Sequence, residues 1–176
     1  MNFTVEPTSL DGALIVTPKQ YGDERGFFKE VFRADELGTR RLGVEFVQEN
    51  VSLSHRGVLR GLHMVDGMAK LVQVISGTTY HVIADLRPNS TTYLKWQSFE
   101  LSGENHKQVF VPVGFANGFY VISDVAYVYY KQNVYYDPAK ERIVRWNDRA
   151  LGVKWPTDSP ILSEKDRSAP DLSTAR

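Results

Sequence analysis

The sequence contains no cysteine, which excludes disulfides, thiolate metal sites and cysteine nucleophiles. It has no excess of either charge: Lys and Arg together number 21, and so do Asp and Glu. A balanced chain is not drawn as a whole to nucleic acid or an anionic membrane, so an anionic ligand must be held by a local basic cluster. No apolar run approaches the roughly 20 residues that span a bilayer. The start, MNFTVEPTSLDG, lacks the basic and apolar regions of a signal peptide. The Asn-X-Ser/Thr triplets at Asn2, Asn50 and Asn89 therefore read as chance. These absences leave a cytoplasmic enzyme or binding module with no nucleic-acid and no membrane partner. Helical patterning is also scarce. Its best example is RADELGTRRLG (33–43), with acidic residues early, basic residues late and Gly43 as a stop.

What the chain has in quantity is aromatic and β-branched residues, with nine Tyr, nine Phe and three Trp among 176 residues. They fall in short runs punctuated by turn signals such as SHRG (54–57), SGTT (76–79), RPNS (87–90) and PVGFANG (112–118). That rhythm predicts an all-β sandwich or barrel of short antiparallel strands, with a single domain over 1–176. The expected strands lie at 12–18, 26–32, 45–54, 57–64, 70–76, 79–87, 93–102, 107–113, 118–123, 125–136 and 142–147. The tail from Trp155 carries three prolines and few apolar residues, and should wrap the body as irregular chain.

Histidine is the first place to look for chemistry, and there are four: His55, His63, His81 and His106. No two stand two apart on one strand, so a paired-histidine metal cluster is not expected, and neither is a metal or other cofactor. His63 lies in a strand-like run, where a core histidine bonded to a carbonyl is the plain interpretation. Arg60 and Lys70 flank it, however, and suit an anionic ligand or intermediate. In VAYVYYK (125–131), alternation sets Tyr127, Tyr129 and Lys131 on one face and Ala126, Val128 and Tyr130 on the other. One tyrosine could be a proton donor, and period alone does not choose between Tyr129 and Tyr130. The polar positions Arg25, Gln48, Asn50, Arg60, Lys70 and Lys165 matter only if folding gathers them.

Nine segments in register resemble the dTDP-4-dehydrorhamnose 3,5-epimerase family. They are GDERGFFKE (22–30), QENVS (48–52), GVLRGLH (57–63), KLV (70–72), DLR (85–87), PVGFANGF (112–119), YK (130–131), WND (146–148) and LSEKD (162–166). The resemblance implies a cupin-type jelly roll, with a few short helices and an irregular tail. It also implies a homodimer in which an N-terminal strand of one subunit helps complete the partner's site. Position by position, it implies His63 as the base beside the 4-keto group, Asp166 as its carboxylate, and Tyr130 as the acid on the opposite face. Lys70 matches the lysine near the C4 oxygen, and Arg60 a sugar- and phosphate-side contact. Arg25, Phe28, Glu30, Gln48, Glu49, Asn50, Glu141 and Lys165 match positions around the nucleotide diphosphate.

Two positions depart from the family: Asn117 stands where a histidine is usual, and His81 where an aspartate is usual. Both imply an altered hydrogen-bond pattern around the sugar. Both, with YLKW (93–96) and the WPT and SPILS stretches of the tail, also resemble epimerases of nucleotide-linked 4-keto heptoses. The expected ligand is thus a nucleotide-diphosphate 4-keto sugar, dTDP-, GDP- or CDP-linked, inverted at C3, C5 or both. The rival readings are a 3,4-ketoisomerase, to which His81 lends weight, and a non-catalytic sugar-binding cupin.

Overall fold

The computed structural model describes residues 1–172. Short strands dominate because nearly every stretch of five to eight residues has one or both faces to bury. A six-stranded antiparallel sheet runs in the order β1 (Phe3–Pro7), β2 (Leu14–Pro18), β10 (Gln108–Val111), β7 (Lys70–Ser76), β12 (Val125–Gln132), β5 (Gln48–His55). A five-stranded sheet runs β13 (Glu141–Ile143), β6 (Leu59–Val65), β11 (Phe115–Val121), β8 (Thr78–Asp85), β9 (Trp96–Ser102). The two face each other as an all-β jelly roll, the sandwich of short antiparallel strands that the strand rhythm predicted and the jelly roll that the family resemblance implied. A hairpin of β3 (Gln20–Asp23) and β4 (Gly26–Lys29) projects from the body. It rests there through Lys29 Nζ, 2.8 Å from His106 Nδ1, and through Phe27 tilted against the His106 ring. No helix among the described residues is long and apolar enough to cross a membrane.

The main core lies between the sheets. Val72, Val74, Ile83, Val109, Phe119, Val121, Ala126 and Val128 belong to it. In β12 the alternation is as expected, with Ala126 and Val128 turned into this core and Tyr127 outward. A second cluster covers the outer face of the six-stranded sheet, where Phe3, Leu71 and Phe110 meet Leu37 and Leu42. Those two leucines set the form of the expected helix over 33–43, which opens with Leu37 N–H donating to Arg33 O and Gly38 N–H to Ala34 O. They are five residues apart and both face the sheet, so the chain closes a π-helical turn, Gly38–Leu42, with Leu42 N–H donating to Leu37 O at 2.9 Å. Gly43 ends it at φ 70°, the left-handed stop its sequence position predicted.

The tail packs over the outer face of the five-stranded sheet, where Leu151, Val153 and Trp155 cover Leu62, Val82 and Ala84. Ile161 docks parallel to Val58, with Leu59 N–H donating to Ile161 O and Ile161 N–H to Gly57 O. This clip delivers one short helix, α1 (Glu164–Arg167), to the end of β6.

Strands β6 and β11 approach unusually closely where their register shifts between Asn117 and Phe119. A Cβ on Gly118 would fall 2.7 Å from Arg60 O and 3.0 Å from Gly61 Cα. Glycine is required there for contact, and the shift decides which way Asn117 and Phe119 point. Gly118→Ala should therefore destabilise the fold by about 1–3 kcal/mol in urea unfolding. An unchanged midpoint would contradict this close approach.

Candidate functional site

One cavity of about 190 Å³ opens between the two sheets. The five-stranded sheet lines it with Arg60 and His63 from β6, His81 from β8, and Asn117 and Phe119 from β11. The six-stranded sheet supplies Ser52 from β5, Lys70 and Val72 from β7, and Val128 and Tyr130 from β12. Its closed end is set by fully or nearly buried side chains, Val72, His81, Phe119 and Val128, while Arg60 is exposed at the mouth. Six of the residues singled out in the sequence thus share one cavity: Arg60, His63, Lys70, His81, Asn117 and Tyr130. Tyr130, on the inward face with Ala126 and Val128, lies in the cavity. Tyr129 faces the other way and donates its hydroxyl to Glu49 at 2.7 Å.

His63 is flanked by two carboxylates, neither of which lines the cavity. Its Nε2 lies 2.5 Å from Asp166 Oδ1, and its Nδ1 lies 3.5 Å from Glu141 Oε1. Asp166 is fixed by α1. Ser163 caps the helix, accepting from Asp166 N–H, and donates its hydroxyl to Asp166 Oδ2 at 2.7 Å. Burial alone would raise the Asp166 carboxyl pKa, but the hydrogen bonds from His63 and Ser163 outweigh it and hold it below the ordinary value. Glu141 follows the same pattern. Burial pushes it up, and bonds from Lys165 and from Tyr136 (2.6 Å) bring it down overall. With Nε2–H donated to Asp166, Nδ1 is left as the nitrogen able to take a proton.

Lys70 Nζ donates to Asn117 Oδ1 at 3.1 Å and stands 5.5 Å from the centre of the Tyr130 ring. Burial pushes its ammonium down to about 8, opposed by the charge of Glu141. The Tyr130 phenol is pushed up, chiefly by burial and in spite of Arg60, so it stays protonated at neutral pH. His81 is driven down to about 3, first by burial and then by Lys70, so its ring is neutral. At the mouth, Arg60 Nε donates to Ser54 Oγ at 2.9 Å.

The other expected positions are distributed unevenly. Gln48 and Asn50 bond to each other at 2.9 Å on the inward side of β5, near the cavity but outside its lining. Glu49, between them, faces outward to Lys131 and Tyr129, so its own chain does not bring it to the cavity. Arg25, Phe28 and Glu30 are likewise elsewhere. Arg25 pairs with Asp23 on the hairpin, Phe28 is exposed on it, and Glu30 accepts from Asn2 Nδ2 at 2.7 Å. The N-terminal strand β1 pairs with β2 of its own chain. Lys165 joins the site only through Glu141, and Glu141 sits against His63 instead of on open surface. Sequence reasoning missed Ser52, Phe119 and Ser163. Ser163 was readable, since a Ser three residues before an acidic residue is a helix-capping pattern. Among the described residues, no three His, Cys, Asp or Glu side chains are grouped to hold a metal ion.

Lys70 gives a pH-dependent test of this geometry. Its folded pKa of about 8 lies below the ordinary 10.5, so between those values the unfolded chain holds the proton more tightly and stability rises with pH. Lys70→Met should therefore be more stable than the natural chain at pH 7, with the gain shrinking as pH climbs from 8 toward 10.5. Denaturant melts across that range check this; a gain that does not vary with pH would contradict it.

Known proteins resemble this chain along nearly all of its length. The family model for dTDP-4-dehydrorhamnose 3,5-epimerase matches residues 7–174. A dTDP-4-dehydrorhamnose 3,5-epimerase of Methanothermobacter thermautotrophicus is 46% identical over 166 residues, covering 92% of this chain and 90% of that protein. A dTDP-4-dehydrorhamnose 3-epimerase of Streptomyces niveus is 37% identical over 177 residues, covering 98% and 85%. The crystal structure of dTDP-6-deoxy-D-glucose-3,5-epimerase from Legionella pneumophila, in complex with dTDP-4-keto-L-rhamnose, superposes with a TM-score of 0.94 at 41% identity, covering 99% and 95%. The cavity between two cupin sheets, the family match and these relatives agree: this chain belongs to the dTDP-4-dehydrorhamnose 3,5-epimerase family and is an epimerase, an enzyme of the isomerase class.

Proposed function

We propose that the chain inverts C3, C5 or both of a dTDP-linked 4-keto-6-deoxyhexose by proton transfer between His63 and Tyr130. One observation carries this reading. His63, held 2.5 Å from the Asp166 carboxylate, and Tyr130 line one cavity from opposite sheets. A ring between them meets a base on one face and an acid on the other, which inversion demands.

The ketone at C4 acidifies the neighbouring C–H bonds because the electron pair left behind moves onto oxygen. His63 Nδ1 takes the proton, and the ring's new positive charge lies beside the Asp166 and Glu141 carboxylates. Lys70 places a cation in the cavity for the developing oxyanion, which is often the largest single contribution to such a step. Tyr130 then returns a proton to the opposite face as the C4 carbonyl re-forms. No electrons are gained or lost, so the proposed chemistry asks for no redox cofactor. Positioned acid–base groups of this kind typically contribute about 10²–10⁴ in rate.

The nucleotide diphosphate belongs at the mouth, with Arg60 and, at the rim, Lys165, Gln48 and Asn50. Arg25, Phe28 and Glu30 would reach a site only in a homodimer, where the projecting hairpin enters the partner's cavity. Glu49, facing outward on the edge strand β5, fits that same interface. A 4-keto heptose, GDP- or CDP-linked, is the second reading, favoured by the uncharged polar pair Asn117 and His81 in the sugar end of the cavity.

Incubation with dTDP-4-keto-6-deoxyglucose in D₂O should place deuterium at C3, C5 or both, read by mass spectrometry and NMR. Absence of label with every nucleotide 4-keto sugar tried would overturn the reading. His63→Asn should abolish the exchange. Tyr130→Phe should impair inversion more than proton loss, and equal impairment of both would assign the acid to another group.

A further inference from the structure

We infer that Lys29 and His106 are positioning residues, whose contact fixes where the β3–β4 hairpin presents Arg25 and Phe28 to the nucleotide diphosphate in the cavity of a partner subunit. The inference rests on the reading above in taking the hairpin to enter that cavity. Every residue from Gln20 to Phe28 is exposed, so the hairpin has no core of its own to hold it at one angle. It is tied to the body at Tyr21, whose hydroxyl donates to Asn2 Oδ1 at 3.2 Å. Just beyond the hairpin, Gln108 Nε2 donates to Val31 O at 2.8 Å. Its remaining anchor is His106, with Lys29 Nζ 2.8 Å from Nδ1 and the Phe27 ring centred 4.8 Å from the imidazole.

The anchor point is itself rigid. His106 is buried in a turn that the Asn105 side chain pins. Asn105 Oδ1 accepts from Ser102 N–H at 3.2 Å and Lys107 N–H at 3.1 Å, and Nδ2 donates to Glu100 O at 2.8 Å. His106 stands at φ 57°, in the left-handed region that few residues other than glycine adopt. The charged group that faces its ring from β4 is Lys29, while Glu104 and Lys107 on its own turn are exposed.

The charge state of the pair gives the contact a signature. An ammonium only donates, so Nδ1 accepts and the ring is neutral, with its proton on Nε2. Burial, and then the charge of Lys29, holds the His106 imidazole below its ordinary 6.5, and burial lowers Lys29 as well. Protonating the ring removes the acceptor and sets two cations against each other. As pH falls the unfolded chain takes up this proton first, so the contact is complete above 6.5 and is lost as pH drops through the lower folded value. Asparagine separates the two properties of the ring. Its Oδ1 stands close to the place of Nδ1 and accepts from the ammonium, it tolerates left-handed backbone, and it does not titrate.

Hydrogen exchange read by mass spectrometry measures the hairpin directly, and calorimetry measures binding of dTDP, GDP and CDP, with the tightest of the three used for comparison. At pH 7.5, Lys29→Met should speed exchange of the hairpin peptide about tenfold and weaken nucleotide binding by a similar factor, as expected for loss of a hydrogen bond to a charged group. His106→Asn should keep both within about threefold of the natural values. From pH 7.5 to 5.0 the natural protein should lose about threefold or more affinity beyond the loss shown by His106→Asn, which carries every other titrating group unchanged. Hairpin exchange in Lys29→Met equal to that of the natural chain at pH 7.5 overturns the inference. So does the same acid loss of affinity in the natural protein and His106→Asn. Arg25→Ala separates the inference from the reading beneath it. Natural affinity in that variant overturns both, whereas weakened binding by Arg25→Ala beside natural affinity in Lys29→Met overturns the inference alone.

Discussion

The short contact between His63 and Asp166 is the constraint around which the rest of the site is arranged. A carboxylate as buried as Asp166 is costly unless its oxygens are occupied, and here they are shared between an imidazole from the sheet and the hydroxyl of Ser163. The two partners are 103 residues apart in the chain. Bringing them together requires the tail to cross the outer face of the five-stranded sheet, clip Ile161 alongside Val58, and begin a helix at one point. A tail with little regular structure is thereby a positioning device, its course fixed by buried Leu151, Val153 and Ala169.

The same logic explains how charge is divided. The cavity lining carries the cations Arg60 and Lys70 and uncharged polar groups but no carboxylate, whereas Asp166 and Glu141 each stand beside one ring nitrogen of His63. A negative charge developing on a ligand therefore meets cations, and a positive charge developing on His63 meets anions. Burial lowers Lys70 only to about 8, so it is still mostly a cation at neutral pH. The depth that weakens its own charge also keeps water from screening it.

Legibility in the sequence followed burial. Strands β7, β8, β10 and β12 were readable because each is a short apolar or alternating run closed by turn residues. β1 and β3 were not, since only Phe3 of FTVEP is buried and QYGD is exposed at every position. The 33–43 segment carried the charge pattern of a helix and is helical, and its leucine spacing of five made the turn over Gly38–Leu42 a π turn. Alternation correctly separated Tyr129 from Tyr130 into two faces. It could not say which face was inner, and that came from the family resemblance and then from the packing of Ala126 and Val128. The same alternation applied to QENVS would have parted Glu49 from Gln48, Asn50 and Ser52. The pairing of His63 with Glu141 had no local signal at all, because it depends on β13 lying beside β6.

The proposed proton transfer depends on Asp166 acting through His63. Replacing Asp166 by Asn preserves its size and removes its charge, and the rate of solvent deuterium incorporation into a nucleotide 4-keto sugar measures the consequence. That rate should fall on the order of 100-fold or more while nucleotide-sugar binding changes little. Incorporation at an undiminished rate by a folded Asp166→Asn protein would contradict it.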